Sequence, residues 1–126
     1  MNPKDNAIKK ILSDFESFAN LVLHQLDLLE KIYSSNEEED INSIIKEVED
    51  NEKKLDKQEV KISDNIINTI VLYHPFATDI RKLMACYRIV ISLERVGDKV
   101  LDAVELITKI RSTPVYADFN DAVSNM

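Results

Sequence analysis

Only one glycine, Gly97, occurs in these 126 residues, and it stands inside a stretch that otherwise reads as unbroken helix. The other strong breakers are three prolines, at positions 3, 75 and 114. Tight hairpins draw on Gly, Asn-Gly and Pro, so a chain this poor in turn residues has no means of linking many strands. Its wealth of Leu, Ile, Lys and Glu favours long helices instead. A glycine in a helix interior costs about 1 kcal/mol relative to alanine. A chain that uses glycine once, and there, needs the missing side chain for a close helix approach or an ion site.

Apolar residues recur at helical spacing in three segments. The first covers residues 4–33, with Ile8, Ile11, Phe15, Phe18, Val22, Leu26 and Leu29 on one stripe. Ser34-Ser35-Asn36 ends it, and the acids at 37–40 open the next, where they suit the positive end of a helix dipole. The second covers 38–73, with the stripe Ile41, Ile45, Val48, Glu52, Leu55, Glu59, Ile62, Ile66, Thr69, Tyr73. Proline is disfavoured within a helix and welcome at its first position, so a third helix is expected to run over 75–111. Its main stripe is Ile80, Leu83, Tyr87, Val90, Glu94, Gly97, Leu101, Val104, and a second apolar stripe from Cys86 to Ile110 lies beside it. So wide an apolar arc calls for cover beyond two partner helices, from a second copy or a further domain.

These segments predict an all-α protein: an antiparallel up-down-up three-helix bundle over residues 1–111 with short connections. Ser112-Thr113-Pro114 stops the third helix. Val115, Phe119 and Val123 then give a short helical tail over 112–126, as if a further helix began there.

Two glutamates, Glu52 and Glu59, occupy stripe positions where an apolar residue belongs. Glu52 and Asp98 each stand 23 residues from Pro75, and Asp56 and Glu94 each stand 19 from it. Two antiparallel helices hinged at Pro75 rise equally per residue, so the pairs Glu52/Asp56 and Glu94/Asp98 meet at one level. Within each pair the spacing of four puts both carboxylates on one helix face. Carboxylates gathered at one level repel and must be neutralised by protons, by basic side chains such as Arg95 or Lys99, or by cations. Oxygen-only donors suit Mg²⁺, Mn²⁺ or iron. A solvated acidic face is the plainer alternative. Glu59 extends the acidic face as an outer candidate.

Other chemistries find little support. The net charge of −7 argues against nucleic acid as the main partner. No apolar run is long enough to span a membrane, and the opening residues lack a signal-peptide pattern. The single cysteine, Cys86, excludes an internal disulfide and fits a reducing, cytoplasmic setting. The Glu-x-x-His motifs of di-iron bundles are absent, since Leu21 and Val71 precede His24 and His74 at that spacing. His24 reads as an exposed residue, His74 as part of a helix start, and Cys86 as a buried structural thiol. No catalytic constellation emerges, and no enzyme is expected.

The segment His74-Pro75-Phe76-Ala77-Thr78-Asp79-Ile80-Arg81, followed at helical distance by Leu93-Glu94-Arg95-Val96-Gly97-Asp98, resembles the PhoU family. That family carries Pro-x-Ala-x-Asp-Leu-Arg at a helix start and Leu-Glu-Arg-Ile-Gly-Asp along the same helix. It also carries an acid-x-x-x-Asp motif on the preceding helix, which Glu52 and Asp56 match. The resemblance implies a single three-helix repeat where typical members hold two. It implies regulation of phosphate uptake and starvation signalling by protein–protein contact, peripheral to the membrane at most. The implied partners are a phosphate ABC transporter, a sensor histidine kinase and, given the apolar arc, a second copy in a homodimer. It further implies multinuclear iron or zinc bound through Glu52, Asp56, Glu94 and Asp98. Asp79 and Arg81 fall to helix-start structure or a partner surface. Related domains attached to sodium–phosphate cotransporters and ion-channel regulators leave the alternative of a metal-free helical dimerisation module.

Overall fold

The computed structural model describes residues 2–35 and 38–111. They form three helices: α1 (Pro3–Ser34), α2 (Glu38–Tyr73) and α3 (Ala77–Arg111). The tail expected over 112–126 lies outside the described residues.

Local chemistry sets the helix ends. Asn2 caps α1, its side-chain oxygen accepting the Asp5 N–H at 2.8 Å, with Pro3 in the first turn. At the far end the Ser35 N–H donates to the Lys31 carbonyl at 3.0 Å. The α2–α3 link departs from expectation. His74 takes a left-handed φ of 43°, and its N–H still donates to the Ile70 carbonyl at 3.2 Å. The residue before a proline is pushed out of the helical region, so the chain turns at His74 and spends Pro75 in the link. The Ile80 N–H reaches back to the Phe76 carbonyl at 3.0 Å, which makes Phe76 the cap and Ala77 the first helical residue. Helix α3 thus begins two residues later than residue 75.

Each helix packs on both others, which gives a triangular bundle. Lys61 lies 4.0 Å from Asp14 and His24 3.1 Å from Glu47, which fixes α1 and α2 as antiparallel. Lys4 lies 3.9 Å from Asp79, so α1 and α3 start at the same end. The up-down-up arrangement is therefore the one the sequence predicts.

The core falls into two clusters. One gathers Ile11, Phe18, Val22, Leu55, Ile62, Ile66, Leu83, Cys86 and Val90. The other gathers Leu28, Ile32, Ile41, Val48, Val100 and Val104. On α1 the inward face runs through Gln25 rather than Leu26: Gln25 is fully buried and Leu26 is 40% exposed. The stripe steps from Val22 to Gln25 to Leu28 because a polar partner on α2 meets the amide. Leu12 and Leu23 of α1 and Ile89 and Leu106 of α3 are among the large apolar residues left exposed.

Candidate metal centre

Glu52 and Asp56 project from one turn of α2, and Glu94 and Asp98 from the facing turn of α3. Each offers a carboxylate oxygen within 4.8 Å of the others. The hinge near Pro75 and the equal rise of the two helices bring these acids to one level. Glu52 is the innermost at 5% exposure. Glu94 is half-buried, and Asp56 and Asp98 open to solvent.

Gly97 creates the space for this arrangement. A Cβ on Gly97 would lie 3.0 Å from Glu52 Oε2 and 3.3 Å from Leu55 Cδ1, so α3 approaches α2 across a gap where any side chain would press on the acid. Both oxygens of Glu52 are buried without a donor to satisfy them. A buried carboxylate left so is costly unless it is protonated or paired. Burial first, and then the facing Asp98 carboxylate with Asp56 and Glu94 behind it, push Glu52 up to about 8. Burial and the carboxylates of Asp98 and Asp56 push Glu94 up to about 7. The leading influences on these two groups all raise them. The ion pairs Lys4–Asp79, His24–Glu47 and Lys61–Asp14 lie elsewhere.

Four carboxylates with converging oxygens, one of them buried and unsatisfied, fit a hard or borderline cation. A cation would replace the shared protons and discharge the mutual repulsion. Glu59 stands two turns beyond Glu52 on α2, half-buried, and outside this group of four. Asp79 sits in the first turn of α3 beside Lys4, and Arg81 is exposed on the same turn. His24 meets Glu47 across the α1–α2 surface. Cys86 is buried, and burial raises its thiol pKa.

Sequence reasoning missed Gln25 and Asn51. Gln25 Nε2 donates to the Val48 carbonyl at 3.0 Å, and Asn51 Nδ2 donates to Gln25 Oε1 at 3.1 Å. The available signal was Gln25 midway between the apolar Val22 and Leu28.

An all-α bundle carrying an acidic centre between two antiparallel helices is the class that fold and site define. The profile of the PhoU domain family matches residues 15–107, and the chain belongs to that family. A phosphate-specific transport system accessory protein PhoU homolog from Borreliella burgdorferi is 31% identical over 83 residues, covering 66% of this chain and 37% of its own. The corresponding homolog from Aquifex aeolicus is 38% identical over 60 residues, covering 48% of this chain and 27% of its own. The chain thus spans well under half the length of these relatives. No solved structure gives a significant match.

Proposed function

We propose that this chain is a regulatory module of phosphate transport that works by protein–protein contact and binds metal at the Glu52, Asp56, Glu94, Asp98 centre. The observation that carries the metal reading is the Glu52 carboxylate, buried with both oxygens unsatisfied beside three other acids. Bound metal would supply positive charge that holds α2 against α3. The all-oxygen donor set favours iron, manganese or magnesium, with zinc less suited because it draws more on nitrogen and sulfur. The names of the two relatives support the phosphate-transport setting. A phosphate ABC transporter and its sensor kinase are the partners proposed, met at the cytoplasmic face of the membrane. No described helix is long and apolar enough to cross a membrane, which agrees with a peripheral role.

The exposed Leu12, Leu23 and Ile89 support a homodimer that covers them. The proposed role is regulatory and not enzymatic. A phosphate-starvation reporter in cells lacking this chain tests the reading. Wild type should restore phosphate-dependent repression, and the double variant Glu52→Gln with Glu94→Gln should not. Equal repression by both would count against the metal centre, and failure of wild type would count against the phosphate role.

A further inference from the structure

We infer that Gln25 and Asn51 are positioning residues for Glu52: their buried amide pair fixes α1 on the α2 turn 48–52 and holds the Glu52 carboxylate toward α3. This rests on the metal reading of the acidic centre.

Glu52 needs such a device. Neither of its oxygens meets a donor from an amide, a hydroxyl or a basic side chain, so apart from a proton shared with Asp98 no hydrogen bond orients the carboxylate. Its direction follows from the rotation and register of its own helical turn and from the gap over Gly97. Two buried amides hold that turn. Gln25 is fully buried and Asn51 is 6% exposed. Gln25 donates to the Val48 carbonyl, which stands four residues before Glu52 and is therefore the helical acceptor of the Glu52 N–H. Asn51, the residue before Glu52, closes the pair by donating to Gln25 Oε1. Gln25 thus grips the turn at the carbonyl below Glu52 and, through Asn51, at the side chain next to it.

The layering of the core agrees. One apolar cluster reaches Val22, Leu55 and Val90, and the other starts at Leu28, Val48 and Val100. Between them, in sequence on all three helices, stand Gln25, Asn51 with Glu52, and Glu94 with Gly97. A polar layer therefore interrupts the core where the acidic centre sits. Apolar residues of similar volume could fill the amide positions at little cost to stability, because a buried hydrogen bond gives only a modest net gain. A slide or rotation of α2 on α1, by contrast, would leave both amides buried and unpaired. A pair of this kind selects register more than it adds stability.

The test uses the whole chain as wild type, Gln25→Met, Asn51→Leu, and the exchange Gln25→Asn with Asn51→Gln. Ile32→Val, in the farther cluster, is the control. Manganese is titrated into each. Because Gly97 is the only glycine, ¹⁵N-glycine labelling gives a single amide signal beside Glu52 in the metal-free protein. Both single variants should keep the helical content of the control, with a melting temperature lowered by the one buried amide that each leaves unpaired. They should lose about ten- to a hundredfold in manganese affinity, the usual effect of removing a group that orients a ligand. The Gly97 signal should move in both, and the exchange should recover part of each loss. Affinities within about twofold of wild type in the single variants would overturn the inference. Should wild type take up no manganese, the metal reading fails and the Gly97 signal alone decides: displacement supports the positioning role and an unmoved signal overturns it. If one single variant does not fold, the other carries the same test.

Discussion

The Glu52 carboxylate of α2 lies against the bare Cα of Gly97 on α3, so near that an added methyl group would stand 3.0 Å from Oε2. An acid and a glycine on different helices therefore share one space. Gly97→Ala gains about 1 kcal/mol of helix propensity and loses a similar amount to crowding against Glu52 and Leu55. Its urea midpoint should stay close to wild type, while metal affinity drops. Gly97→Leu should lose about 1–3 kcal/mol by overpacking. A wild-type midpoint in Gly97→Leu would show that the gap has no packing role.

The raised acids give the metal-free protein a pH dependence of definite sign. Glu52 titrates near 8 and Glu94 near 7 in the folded chain, against an ordinary value of 4.5. Over that interval the folded state holds more protons than the unfolded one. Their contribution to stability is complete below pH 4.5 and is lost as pH rises through about 7 and 8. Thermal melts should fall from mildly acidic to mildly alkaline buffer, and Glu52→Gln should flatten the decline because an amide stays neutral. Metal should narrow the same decline, since cation binding displaces the shared protons.

Core substitutions should separate the two faces of the bundle. Phe18 and Leu55 are fully buried in one cluster. Phe18→Ala should cost about 3–5 kcal/mol and Leu55→Ala about 2–5 kcal/mol by urea denaturation. Val60 is 56% exposed on α2, and Val60→Ala should stay within about 0.5 kcal/mol of wild type.

The exposed apolar residues lead to a prediction about assembly. Leu23 is 58% exposed and Ile89 45%. Sedimentation at high micromolar concentration should show a dimer, and Leu23→Glu with Ile89→Glu should shift it toward monomer. A wild-type monomer under those conditions would remove the homodimer from the account.

The bundle and the acidic level were legible because they depend on few quantities. Pro75 marks the hinge, both helices rise equally, and residues equidistant from the hinge meet. The turn absorbed Pro75 and moved the start of α3 to Ala77 without disturbing that level. Glu59 did not join the centre because seven residues along a helix is roughly 10 Å, too far to share an ion at the level of Glu52. Gln25 was harder to read. At positions 25 and 26 an apolar pattern favours Leu26, and only tertiary partners on α2, the Val48 carbonyl and Asn51, make the buried amide acceptable. Periodicity reports apolar faces and says nothing about which polar side chains find partners across a bundle.

Metal analysis of the purified chain tests the central claim most directly. After equilibration with manganese or ferrous iron and removal of excess, wild type should retain at least one metal ion per chain. Glu94→Ala with Asp98→Ala should retain almost none while keeping its helical content. Substoichiometric metal in wild type, unchanged in that double variant, would contradict the account.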